Sequence, residues 1–201
     1  YDSLGQIGVL SVAATANASR DVDVQGDMPT TCTSEYLITV TNVDAYTGKR
    51  MTNAGYGSVS IDMGSPGQNT YTTINRTITQ TDTLWHGSFG GTSASCPHGS
   101  GAVALLYSVA CTGFVADAIS HPVNCARRVR DAVLLNVAEE ATMAGVSTTG
   151  GRLDVAASIE DIMELCSGTT GPLDLVDLRP NPVSTTPEIR DQTPDYGDYT
   201  L

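Results

Sequence analysis

The chain has 201 residues, enough for one sizeable hydrophobic core and a tail. Lys and Arg number 10 against 22 Asp and Glu, a formal net charge of −12, which argues against nucleic-acid binding and suits a self-repelling soluble protein. The sequence carries no apolar run long enough for a membrane-spanning helix.

In chain order, the first informative stretch is GVLSVAATANAS, residues 8 to 19. Val9, Leu10, Val12 and Ala13 form a short apolar run, which predicts a strand in a parallel sheet covered on both faces. Asn17 then falls just beyond the carboxyl end of that strand, where open α/β sheets bind ligands. Next comes RDVDVQGD, residues 20 to 27, where Asp21, Asp23 and Asp27 are the residue type a structural calcium ion requires. Their spacing falls short of a helix-loop-helix calcium loop, and surface loops often carry such acids. No Cys-x-x-Cys pair or clustered His points to zinc, and no catalytic metal or cofactor is expected.

Two further strand candidates follow: YLITVTNVD, residues 36 to 44, and the end of YGSVSIDMGSPG, residues 56 to 67, where Pro66–Gly67 reads as a turn.

GSFGGTSASCPHGSGAVALLYS, residues 87 to 108, sets hydroxyls at the mouth of a helix among very small residues. Pro97 lacks an N–H and belongs near a helix start, so the helix should begin near Ser93. Gly91, Ala94, Gly99 and Gly101 permit close backbone approach, and Ala102, Leu105 and Leu106 supply an apolar stripe. Thr92 or Ser93 is thus either a helix cap or, for Ser93, a nucleophile beside free N–H groups.

NCARRVRDAVLLNVAE, residues 124 to 139, predicts an amphipathic helix with Ala126, Val129, Ala132, Val133, Leu135 and Val137 inward and its arginines on a solvated face. Of the five cysteines, Cys111 and Cys125 flank a loop between two predicted helices and are the expected disulfide. After Cys166 the composition turns acidic, with five Pro in the last 35 residues, as in a linker.

GTSASCPHGSGAVALL resembles the nucleophile motif of subtilisin-like serine proteases, Gly-Thr-Ser-x-x-x-Pro-His-x-x-Gly, matching at Gly91, Thr92, Ser93, Pro97, His98 and Gly101. Residues 8 to 19 resemble the family's strand ending in the oxyanion-hole asparagine. Residues 36 to 67 resemble its next strand and Pro-Gly turn, with Ser65 in place of the usual alanine. GGRLDVAASIEDI, residues 150 to 162, resembles the segment closing the catalytic domain.

The resemblance implies a three-layer α/β/α domain with a mainly parallel sheet over residues 1 to 166, incomplete on its amino-terminal side. It implies a serine endopeptidase in which Ser93 attacks a peptide carbonyl while the Asn17 amide and the Ser93 N–H hold the oxyanion. It places Ala14, Thr15 and Ala16 on the wall of the primary specificity pocket, with Gly91 and Thr92 also against the substrate. Ala16 stands where the family usually has glycine. In the tail, residues 167 to 201, LVDLRPNPV is similar to the opening of the β-sandwich sorting domain of Bacteroidetes type IX secretion, which implies secretion or the cell surface.

The family's triad also needs a histidine and an aspartate on the amino-terminal side of the asparagine, and none of the 16 residues before Asn17 is a histidine. His98, five residues after Ser93, points about 140° away around the helix and is expected to be part of the packing. His86 lies on the loop leading to Ser93 but out of the family's order, and His121 precedes Pro122 between helices. The chain opens at Tyr1 without an initiator methionine, so the expectation is that missing sequence or a companion chain supplies both residues. The alternative is a subtilase-derived binding or structural module without turnover.

Overall fold

The computed structural model describes residues 1–73, 85–109, 111–164 and 166 of the chain, which fall in one structural unit. The tail motif and the rest of 167–201 lie outside the described residues, as does the side chain of His86.

Five strands form the main sheet in the order β1 (Ser11–Ala14), β2 (Leu37–Asp44), β3 (Met63–Gln68), β7 (Gly151–Arg152) and β6 (Ala138–Glu139). The first four run parallel, and β6 is antiparallel to β7. β1 pairs with β2 from Ser11 opposite Leu37 to Ala14 opposite Val40. Seven consecutive residues of β2 are buried, as expected of a strand covered on both faces. A separate antiparallel pair joins β4 (Thr70–Thr73) to β5 (Trp85–Phe89). Two single-turn helices, α1 (Asp2–Gly5) and α2 (Val22–Gln25), flank β1 in sequence.

Four longer helices follow: α3 (Thr92–Tyr107), α4 (Thr112–Ser120), α5 (Pro122–Leu135) and α6 (Val155–Glu164). On one face of the sheet, Ile38, Val40 and Met63 share a core with Ala102, Val103 and Leu106 of α3, Val129, Ala132 and Val133 of α5, and Ile162 of α6. On the other face a Cβ at Gly64 would meet Val43 and Met143, so Met143 of the short 3₁₀ turn Ala141–Met143 closes over the strands. The architecture is the expected three-layer α/β/α fold. Among the described residues no single helix is long and apolar enough to cross a membrane.

Five expectations need correction. β1 holds only Val12 and Ala13 of the predicted apolar run, Ala13 is its one buried residue and Val9 is 42% exposed, since among the described residues this strand pairs on one side only and is not covered on both faces. Leu105 is 49% exposed and Leu135 79% exposed, while their neighbours Val103 and Leu134 take the inward positions. Each helix carries adjacent apolar residues, and the neighbouring sheet and helices decide which of them faces in. Pro66 and Gly67 are not a turn but the carboxyl half of β3, where the register slips so that Val43 faces Pro66 and Asp44 faces Gln68. The disulfide joins Cys111 to Cys166, not to Cys125, which is buried as a free thiol. It ties the start of α4 to the chain just after α6, a pairing that depends on how the helices pack. His98 is exposed rather than packed, with its Nδ1 2.8 Å from the Ala94 carbonyl oxygen.

The α5 arginines pair with acids: Arg127 grips Glu35 with Nε and Nη2 at 2.7 and 2.6 Å, and Arg128 meets Asp161 at 2.6 Å. The Arg127–Glu35 pair is exposed and adds little to stability.

Candidate functional site

The site forms where α3 starts against the carboxyl ends of β1, β2 and β3. Gly91 is the N-cap of α3, at φ 103° and ψ 166°, a conformation nearly reserved for glycine. The slipped register sets Gly67 directly beneath it, where a Cβ would overlap Ser95 Oγ and lie 2.5 Å from the Gly91 carbonyl oxygen. The Ser65 hydroxyl donates to the Ser95 carbonyl at 2.9 Å, and the Ser95 hydroxyl to Asn42 Oδ1 at 3.5 Å. The helix start is thereby pinned to two strands.

Neither Thr92 nor Ser93 caps the helix through its own side chain. Asn17 does that work from across the sheet: its Oδ1 accepts the Thr92 N–H at 2.8 Å and the Thr92 hydroxyl at 3.0 Å. A backbone N–H can only donate, so Oδ1 must face Thr92 and Nδ2 must face away. That Nδ2 has no partner among the described residues.

Ser93 is the second residue of α3 and is exposed. The first helical bonds are donated by Ala94 and Ser95 to the Gly91 carbonyl, at 2.9 and 3.3 Å. The Ser93 N–H precedes them, and neither it nor the Ser93 hydroxyl has a partner among the described residues. Pro97 cannot donate to the Ser93 carbonyl, which further loosens this first turn. The result is one free hydroxyl beside two unspent donors, the Ser93 N–H and the Asn17 amide, at the positive end of a 16-residue helix.

Residues 14 to 16 lead from β1 to Asn17. The Thr15 N–H continues the ladder to the Val40 carbonyl at 3.2 Å, and the Ala16 carbonyl accepts the Gly55 N–H at 2.8 Å. Ala14 and Ala16 are half-buried, whereas Thr15 is buried with its hydroxyl turned to Asp27. Sequence reasoning missed this use of Asp27. Its Oδ2 accepts from the Thr15 hydroxyl at 2.9 Å, the Ala16 N–H at 3.0 Å and the Thr30 hydroxyl at 2.8 Å.

The three aspartates weighed for calcium are each spent on different groups. Asp21 caps α2 through the Asp23 N–H, Asp23 takes the Val59 and Ser60 N–H groups, both at 2.9 Å, and Asp27 braces the wall. Among the described residues no group of three His, Cys, Asp or Glu side chains is placed to hold a metal ion.

The described histidine rings do not meet Ser93. His98 lines a groove of about 240 Å³ together with Tyr71, Phe89, Ala94 and Pro97. His121 bonds Asp117 at 2.8 Å, at the junction of α4 and α5, and α4 begins beyond the far end of α3. No carboxylate contacts the His98 ring among the described residues.

At the carboxyl ends of the parallel strands, the start of α3 thus presents an exposed serine next to a threonine that is bonded to an asparagine from the segment after β1. A family model described as the subtilase family matches residues 2–151, and the chain belongs to that family. It is 32% identical over 112 residues to an extracellular protease of Xanthomonas campestris pv. campestris, an alignment covering 56% of this chain and 18% of that protein. Among solved structures, the A-subunit of the AB5 toxin from E. coli superposes with a TM-score of 0.59 at 20% identity, covering 80% of this chain and 54% of that one. The prenylagaramide maturation protease PagA gives 0.56 at 20% identity, covering 77% and 51%. The psychrophilic subtilisin-like protease Apa1 from Pseudoalteromonas sp. AS-11 gives 0.56 at 14%, covering 84% and 67%. The chain thus spans about half the length of the first two solved relatives and under a fifth of the Xanthomonas protein.

Proposed function

We propose that this chain is the carboxyl-terminal part of the catalytic domain of a secreted or cell-surface serine endopeptidase. Ser93 is the nucleophile, and the Ser93 N–H with Asn17 Nδ2 forms the oxyanion hole. Ala14, Thr15, Ala16, Gly91 and Thr92 line the substrate path. The observation that carries the reading is the Asn17–Thr92 contact, which satisfies the helix start without using Ser93 and turns the Asn17 amide donor outward.

A serine hydroxyl needs a base, and the base needs an orienting carboxylate. The reading assigns both to sequence outside this chain or to a companion polypeptide. β1 offers a place for that partner, since among the described residues it is paired on one side only, with β2. This route calls on no cofactor, and residues 175 to 183 would belong to a secretion-sorting domain.

Labelling with a fluorophosphonate probe, followed by peptide mapping, tests the reading on the protein with any companion chain present. An adduct on Ser93 that Ser93→Ala abolishes is the expected result. Peptide hydrolysis that survives Ser93→Ala, or an assembled protein with neither adduct nor hydrolysis, overturns it in favour of a non-catalytic module.

A further inference from the structure

We propose that Asp27 sets the substrate class of this site, selecting peptide bonds that follow a lysine or arginine. The inference rests on the reading of Ser93 and Asn17 just given and adds what it leaves open. Asp27 Oδ2 is held by three donors, two of them on Thr15 and Ala16, the residues immediately before Asn17. The carboxylate is therefore fixed to Thr15 and Ala16, which the proposed reading sets along the substrate path.

Oδ2 spends its acceptor capacity on these three donors, which leaves the acceptor sites of Oδ1 for another group. Among the described residues no Lys, Arg or His pairs with Asp27, and its Oδ1 has no partner. The neighbouring acids Asp21 and Asp23 add negative charge to the same segment. One oxygen is thus positioned by the wall and the other is left over, which is the arrangement an ammonium or guanidinium completes with a charge-assisted hydrogen bond. A carboxylate in the primary pocket reads basic side chains in serine proteases of unrelated fold by the same physics.

The test compares kcat/KM for two peptide substrates that differ only in the residue before the scissile bond, arginine or phenylalanine. It uses the full protein with any companion chain, before and after Asp27→Asn. The unmodified protein is expected to favour arginine by on the order of 10- to 100-fold, the usual worth of a hydrogen bond to a charged group. Asp27→Asn should erase that preference, lowering kcat/KM for the arginine substrate at least about tenfold more than for the phenylalanine substrate. A native preference for phenylalanine overturns the inference, as does an equal loss on both substrates. Those outcomes leave Ser93 as the nucleophile. Absence of both hydrolysis and Ser93 labelling instead overturns the underlying reading, and this one with it.

Discussion

Asn17 Oδ1 accepts the Thr92 N–H at 2.8 Å, so a residue in the segment after β1 caps a helix that starts 75 residues later. One side chain therefore has two separable tasks, an acceptor for the fold and a donor for the reaction. Asn17→Asp keeps the acceptor and removes the donor. The melting temperature should hold while kcat falls about 10²- to 10³-fold. Asn17→Ala removes both, adding a stability loss of about 1 kcal/mol. Paired thermal melts and turnover assays on the two variants check the separation.

Gly91 is committed by its backbone. Its φ of 103° is unfavourable for any residue with a Cβ, and an added Cβ would lie 3.1 Å from Asn17 Oδ1. Gly91→Ala should cost about 1–3 kcal/mol in chemical denaturation. It should also displace Asn17, so activity should fall even at temperatures where the variant is folded.

The Cys111–Cys166 bridge closes a loop over a sequence separation of 55. In the chain-entropy account, breaking such a bridge removes about 4 kcal/mol of stability. Cys166→Ser should therefore lower the denaturation midpoint markedly. Cys125→Ala should leave the bridge intact in non-reducing peptide maps.

Tyr107 gives the alkaline limb of stability. Its hydroxyl donates to the Gly8 carbonyl at 2.9 Å, and burial pushes its pKa up from 10.0 to about 12. The folded state then holds the phenolic proton more tightly than the unfolded chain. The contribution is full below pH 10 and is lost as pH rises from 10.0 to about 12. Tyr107→Phe should flatten that loss and, through the missing hydrogen bond, lower stability at neutral pH by about 1 kcal/mol. Denaturation midpoints across the alkaline range check both effects.

On the acid side, Glu140 is held below the usual carboxylate range by the Thr142 N–H and hydroxyl. A lowered folded-state pKa gives stability that is present above the unfolded value of about 4.5 and is lost as pH falls further. Glu140→Gln should make acid unfolding slightly less steep, measurable by circular dichroism.

The sequence by itself determined what local pattern and residue chemistry can determine. The residue patterns of 8–19 and 36–44 each placed a strand, Pro97 and the small residues placed the start of α3 within one residue of Ser93, and the order of the matched segments carried the family. Tertiary structure decided what depends on partners distant in the chain. Leu105 and Val103 differ little as apolar helix residues, and only their neighbours in the fold turn one out and the other in. Cys111 found Cys166 rather than Cys125 because packing of α4 to α6, not loop length, sets which thiols meet. Asp27 looked like one acid in an acidic loop until the fold laid it against Thr15 and Ala16. Hydrophobic periodicity is written within one or two turns of chain, whereas hydrogen-bond direction and side-chain pairing exist only after segments far apart in sequence have been brought into contact.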